Sequence, residues 1–401
     1  MQGVFGACLV PLSQAVLLDT YPKEQHGSAM AMWGVGVMVG PILGPSLGGW
    51  LTEYYNWRWV FYINLPFGLL AWLGLATFVQ ETPIDRSRRF DLPGFALLSL
   101  AVAALQMMLD RGESLDWFAS PEVVIEAMVA GLAMYLFIAH MFTARQPFLE
   151  PALFRDRNFN VGLVFIFTIG IILLATMALL PPFMQSLMGY PVIDIGYLLT
   201  PRGVGTMFAM FLVGRLNGRI DVRYLITAGL LLTSASLWEM TRFTTDISGW
   251  DIVRTGITQG LGLGFIFVPL STIAFATLAP RFRNEGASLF SLMRNLGSSI
   301  GISVVITYLA QRTQINHAAL AASINPDNLA LAQAVQAGVY NLSTPEGLTA
   351  INQEINRQAA TLAYLQDFRL MMWITLAALP MVLLLKKPAQ TGSEAAAVAM
   401  E

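Results

Sequence analysis

Apolar residues along this chain fall in long runs separated by short polar turns, and the length of the runs sets the first prediction. A helix rises 1.5 Å per residue, so about 20 apolar residues cover the roughly 30 Å of hydrocarbon in a bilayer. Eleven runs reach or approach that length: 2–19, 28–52, 58–80, 92–109, 122–143, 160–186, 192–214, 224–241, 252–279, 285–309 and 364–385. The pattern predicts a helix over each, because a backbone buried in lipid must satisfy its own N–H and C=O groups. The expected fold class is an all-α polytopic membrane protein.

Inside the second run the pattern changes to "GVGVMVGPILGPSLGG", residues 34–49. Gly36, Gly40, Gly44 and Gly48 are four apart, so they form a slowly drifting stripe on one helix face, with Pro41 and Pro45 beside it. A phosphate-binding loop would need a Lys and a Ser/Thr in register, and neither follows. Small residues at this spacing let another helix backbone come close. Each proline removes a backbone hydrogen bond, which adds the expectation of a helix that bends or flexes.

A repeat organises the chain. Gly6, Pro11, Leu12, Ser13 and Pro22 recur 258 positions later as Gly264, Pro269, Leu270, Ser271 and Pro280, and Gly40 and Gly44 have counterparts in Gly297 and Gly301. Gln2-Gly3 recurs, shifted by one, as Gln259-Gly260. Such repeats point to a transporter built from two related halves. Three runs precede the second copy and none precedes the first, so the expectation is that three leading helices of the first half, about 100 residues, are missing. The runs at 92–109 and 122–143 belong to neither copy and read as an inserted pair.

Composition agrees with the runs: 55% of residues are hydrophobic and 12% charged, against roughly 25% charged in a soluble domain. A net charge of -2 gives no bulk attraction to nucleic acid. Cys8 is the only cysteine, which excludes an intramolecular disulfide, and the segment around it is too short for a lipoprotein signal. His26, His140 and His317 are scattered, so neither a histidine metal site nor haem ligation is expected. Of the 23 Lys and Arg residues, alternation of the runs places fourteen on the side of the 81–91 loop and seven on the other, with two in mid-run. The positive-inside rule then puts the C-terminus in the cytoplasm.

At this point the residues resemble a known group. "GVGVMVGPILGPSLGGWLTEYYNWRWVFYINLPFG" is similar to the fifth-helix antiporter motif of the fourteen-spanner drug:proton antiporters of the major facilitator superfamily, the EmrB/QacA type. "MQG" with its downstream "GA" resembles the tail of the fourth-helix motif, whose Arg would lie just before Met1. "GRLNGRIDVR", "YPVIDIGYLLTPRGVG" and "SLFSLMRNLGSSIG" resemble further helices and loops of that type, and the long outer loop at 310–362 fits the EmrB branch. The resemblance implies a major facilitator fold with about eleven transmembrane helices of an expected fourteen. Residues 1–80 would be the remainder of the N-terminal half, 81–159 the inserted pair and linker, 160–385 the six-helix C-terminal half and 386–401 a cytoplasmic tail.

Ionisable residues deep in a span are unfavourable unless they serve a pathway or an interior pair. Arg202 lies near the middle of its run and Arg294 well inside "SLMRNLGSSIG". Two readings stand for each: it faces a central cavity as part of a substrate or proton pathway, or it clamps helices together from within. Gln2 and Gln259 are placed to hydrogen-bond a ligand, whereas Gln106 and Gln185 read as interhelical bonds. Glu126, Glu239, Asp194 and Asp367 lie within a turn or two of a run's end and read as interfacial or solvated; Asp19 reads as a helix-end residue. Two central arginines beside few central carboxylates point to neutral or weakly acidic hydrophobic substrates. The 24 Phe and 20 Met supply adaptable apolar surface. Trp57, Trp59, Tyr54, Tyr55 and Tyr62 read as an aromatic belt. Arg215, Arg219, Asp221 and Arg223 read either as a cytoplasmic gating latch or as a surface cluster worth little.

The function expected is proton-coupled multidrug efflux across the bacterial inner membrane, a secondary transporter and not an enzyme, with no cofactor. Its partners would be hydrophobic small molecules, protons and membrane lipid; the outer loop reads either as the dock for a periplasmic adaptor leading to an outer-membrane channel or as a simple connector. The rivals are a dedicated exporter of one natural product or siderophore, and a non-transporting scaffold or sensor. A membrane-embedded acyltransferase needs a His/Asp or paired-acid cluster, which is absent from the pattern.

Overall fold

The computed structural model describes residues 9–22, 25–79, 90–216, 219–325, 328–337 and 344–386, together with Gly3, Gly6, Ala7, Asn341 and Leu342. Within these residues it is helical, with no strand. The helices are α1 (Leu9–Thr20), α2 (His26–Tyr54), α3 (Trp59–Tyr62), α4 (Asn64–Phe78), α5 (Leu92–Arg111), α6 (Pro121–Thr143) and α7 (Arg157–Pro182). They continue as α8 (Val192–Leu216), α9 (Val222–Met240), α10 (Gly249–Ala276), α11 (Arg283–Ala322), α12 (Leu329–Gln336) and α13 (Pro345–Ala377). Helices lie over the described part of each of the eleven runs, two of them over 58–80. Among the described residues seven, counting Trp59–Phe78 as one, are long and apolar enough to cross a membrane by length and composition.

Helix starts follow short-range chemistry. Asp91, Asp156, Asp221, Ser248 and Thr344 each accept a hydrogen bond from a backbone N–H in the first turn of the helix that follows, satisfying a donor that has no partner inside the helix. Pro181 and Pro182 end α7, and the chain widens into a π turn over Phe183–Leu187, as expected where two consecutive residues lack an N–H.

The core is the six-helix bundle of α7, α8, α9, α10, α11 and α13. Helix α10 runs through it, packed on α8, α9 and α7, and 78% of its membrane-length window is buried. Glycine makes this possible: a Cβ on Gly260 would lie 1.9 Å from the Arg202 carbonyl oxygen, and one on Gly264 2.7 Å from that of Thr206. On the other side Gly297 and Gly301 of α11 press on α7, where a Cβ would meet Phe167 O at 2.1 Å and the Ile171 Cα at 2.7 Å. Helix α2 lies along α8, α1 against α11, and α5 pairs with α6. None of the Trp59–Phe78 window is buried. Helices α11 and α13 continue past bilayer length into the 310–362 region, where His317 Nε2 meets Asn352 Oδ1 at 3.2 Å and Asn316 Nδ2 donates to Ala359 O at 3.3 Å.

Candidate functional site

Three of the sequence candidates converge on one stretch of α7, residues 170–176. Arg202, 5% exposed, reaches from α8 and donates from its guanidinium to the Leu173 carbonyl at 3.3 Å. One turn on, Gln259 of α10, fully buried, donates from Nε2 to Thr176 Oγ1 at 3.3 Å. Gln259 Oε1 has no hydrogen-bond partner among the described residues. Arg294 of α11 meets the same stretch through its backbone, its carbonyl lying 2.2 Å from where a Cβ on Gly170 would sit, while its side chain is half-buried. No carboxylate within 4.0 Å pairs with Arg202 or Arg294 among the described residues. The bundle thus holds a polar line of guanidinium, amide and hydroxyl between α7, α8 and α10. Such groups can take a hydrogen-bonding or anionic ligand, or bind one another's helices. Gln2 lies outside the described residues, so its place opposite Gln259 in the repeat is not set by the structure.

The glycine stripe of α2 is open. Nothing among the described residues comes within 4 Å of a Cβ placed on Gly36, Gly40, Gly44 or Gly48. Close contact with α8 is made instead by Gly34, whose Cβ would meet Met210 Sδ at 3.0 Å, and by Gly49, 3.6 Å from the Ile193 backbone. Ser46 Oγ joins them, 3.1 Å from Gly196 O and 2.5 Å from Thr200 Oγ1. The side chains of Pro41 and Pro45 lie outside the described residues. Gly297 and Gly301, the repeat counterparts of Gly40 and Gly44, are the ones sealed against α7.

In the turn before α9 the charges are used locally. Asp221 accepts from the Arg223 backbone N–H at 3.0 Å as the helix cap. Arg215 stacks on Phe211 at 4.3 Å, and Arg219 closes the turn through its N–H to Leu216 O. No ion pair joins Asp221 to these arginines among the described residues. The Arg223 guanidinium instead donates to Leu385 O. Beside it Arg157 Nε donates to Leu384 O at 2.9 Å, and Asn158 exchanges two hydrogen bonds with the Lys386 backbone at 2.9 and 2.8 Å. The end of the last span is thereby clamped to the starts of α7 and α9.

Two carboxylates behave differently from their sequence reading. Asp367 is not interfacial: it is 0% exposed, with neither oxygen hydrogen-bonded among the described residues. Glu126 is buried against Arg111 Nη1 at 3.9 Å. The sequence places both near run ends, but the packing of α7, α9 and α11 on α13, and of α5 on α6, covers them. Asp91, just outside α5, collects the N–H groups of Gly94 (3.1 Å) and Phe148 (2.8 Å) and the His140 ring (2.9 Å). Burial alone would raise its pKa; the donors outweigh burial and hold the carboxyl below the usual carboxylate range.

Long apolar helices closed by backbone-to-glycine contacts, with charged and amide groups sunk among them, define a multi-pass membrane protein with a polar interior. The profile of the Major Facilitator Superfamily matches residues 1–302. The chain belongs to that superfamily of membrane transporters. It is similar to the fatty acid resistance protein FarB of Neisseria gonorrhoeae, at 32% identity over 394 residues covering 98% of this chain and 78% of that protein. The multidrug export protein EmrB of Escherichia coli is 32% identical over 98% of this chain and 77% of its own length. The probable multidrug resistance protein EmrY of the same organism is 32% identical over 92% and 73%.

Proposed function

We propose that this chain carries out proton-driven efflux of hydrophobic compounds, neutral or weakly acidic, across the bacterial inner membrane, with its C-terminus in the cytoplasm. The observation that supports this most is the 32% identity to FarB and EmrB over 98% of the chain, proteins named for resistance and export. The polar line of Arg202, Gln259 and Thr176 supplies a cation and hydrogen-bonding groups inside an otherwise apolar bundle, which suits an amphipathic acid. In this reading Arg202, Arg294, Gln2 and Gln259 serve the substrate and proton pathway. Gly36, Gly40, Pro41, Gly44, Pro45 and Gly48 form the face on which α2 slides or bends. The outer extension of α11 and α13 docks a periplasmic adaptor leading to an outer-membrane channel.

The test is efflux of ethidium and of a long-chain fatty acid from inverted vesicles carrying the chain, with the proton gradient imposed and then collapsed. Gradient-dependent movement of either supports the proposal; none of either, from vesicles in which the protein is folded, refutes it. A second reading, an exporter dedicated to one acid, is favoured by the unpaired arginines, and it predicts transport of the fatty acid without ethidium.

A further inference from the structure

The outward face of the last long helix carries charge that the helix contacts leave unused. Helix α13 packs on α11 and on α9, and at the end of the bundle opposite the Leu384–Lys386 clamp an open hollow lies along each of these contacts. One, about 300 Å³, lies between α13 and α11 and is walled by Arg312, Arg369, Tyr308, Leu370 and Trp373. The other, about 370 Å³, lies between α13 and α9 and is walled by Arg369, Trp373, Trp238, Leu362 and Met372. Arg369 and Trp373, four residues apart and so on one face of α13, form the ridge that both hollows share.

The arginines here are cations without counter-ions. Arg312 lies on the Tyr308 ring at 4.8 Å and Arg242 on the Trp238 ring at 3.7 Å, so each guanidinium is held against an aromatic wall of one hollow. No carboxylate pairs with Arg242, Arg312 or Arg369 among the described residues. Glu239 of α9 is taken by Arg254 at 3.5 Å, and Glu354 of α13 by Arg357 at 3.0 Å. Asp367, two residues before Arg369, is about 200° round the helix from it and fully buried. The hollow between α11 and α13 therefore holds two positive charges and nothing that neutralises them.

Depth decides the kind of anion. Trp238, Leu362 and Trp373 are 46%, 41% and 55% exposed, so in a bilayer the hollows open sideways onto lipid. Arg312 lies just beyond the apolar run that ends at 309, and Arg369 just inside the one that begins at 364. From either place a long basic side chain reaches the membrane interface. Trp373, four residues further along, continues the wall about 6 Å deeper into the apolar layer. A ligand that fits carries its negative charge at the interface and hydrocarbon below it. Forked guanidinium N–H groups match phosphate oxygens, and the molecule that presents a phosphate at this depth, at high local concentration, is a phospholipid. A headgroup with its own fixed cation would meet the arginines with no net charge, whereas an anionic headgroup supplies the counter-ion they lack.

We propose that the hollow between α11 and α13 binds an anionic glycerophospholipid, with its phosphate between Arg312 and Arg369 and an acyl chain along Leu370 and Trp373. This binding does not depend on what the chain exports. The test is native mass spectrometry of the full chain titrated with phosphatidylglycerol, and in parallel with phosphatidylcholine, palmitate and inorganic phosphate. Phosphatidylglycerol should bind several-fold more tightly than phosphatidylcholine. Arg312→Gln combined with Arg369→Gln should abolish that preference, and Arg312→Lys combined with Arg369→Lys, which keeps the charge and loses the fork, should retain a weaker one. Arg357→Gln, which removes an arginine already paired with Glu354, should leave the preference unchanged. Phosphatidylglycerol with a photoactivatable acyl chain should label the peptide that carries Leu370 and Trp373 several-fold more than the phosphatidylcholine equivalent does. The lysine pair and the labelling decide the matter even where the glutamine pair does not fold. Equal binding of the two lipids, a preference that survives the glutamine pair, or no excess label on that peptide overturns the proposal. Displacement of phosphatidylglycerol by equimolar palmitate or inorganic phosphate assigns the arginines to a free acid or a free phosphate, and overturns it too.

Discussion

Arg202 presents a guanidinium with one hydrogen bond, to Leu173 O at 3.3 Å, and no carboxylate partner among the described residues. A buried charge this poorly compensated is retained for a ligand or for a helix clamp, and the two uses part on substitution. If the residue serves a ligand, Arg202→Met fills the space without the desolvation burden. It should then be as stable as the parent or more so, by up to about 1–3 kcal/mol, while efflux is lost. A clamp would instead show destabilisation of about 3–5 kcal/mol. Asp91 gives a pH-dependent case. Its pKa in the folded chain is depressed, so its stabilisation is fully present above the unfolded value of about 3.9 and is lost as pH falls through the folded value. Thermal unfolding of Asp91→Ala should show a loss of about 1–3 kcal/mol at neutral pH that disappears on acidification.

At the scale of the element, glycine decides which helices touch. A methyl group on Gly297 would sit 2.1 Å from the Phe167 carbonyl oxygen, whereas one on Gly40, its repeat counterpart, meets nothing within 4 Å among the described residues. Gly297→Ala should therefore destabilise by about 1–3 kcal/mol or more through overpacking. Gly40→Ala should be neutral or slightly stabilising, since alanine is the better helix former by roughly 0.5–1 kcal/mol. Chemical unfolding of the two variants side by side checks this. A Gly40→Ala loss as large as that of Gly297→Ala would mean that a helix covers the stripe of α2. The helices over the apolar runs were legible in the sequence because apolar length and capping residues act locally. The partner of each glycine face was not, since Gly40 and Gly297 read alike and only the neighbour across the contact tells them apart.

For the whole molecule, burial is uneven. Helix α10 is covered on nearly every side, whereas Trp59–Phe78 exposes its full apolar surface, with Leu70 and Trp72 each more than 60% exposed. In a bilayer that surface meets lipid. A membrane-soluble carbene reagent, read by peptide mass spectrometry, should label 59–78 several-fold more per residue than 249–276. Equal labelling would show that the bundle does not pack around α10 as described.

Unaided, the sequence determined that the chain carries long apolar helices, that a pattern near Gly6 recurs near Gly264, and that arginine and glutamine lie within the apolar runs. Each of these follows from residue type and spacing along one segment. Tertiary packing alone decided that Arg202 and Gln259 meet on α7, that Asp221 caps a helix instead of pairing with arginine, and that Asp367 is fully buried. Distance along the chain from the end of a run says how deep a residue sits in one helix. Whether water reaches it depends on the helices packed alongside, and that information is spread over segments far apart in sequence.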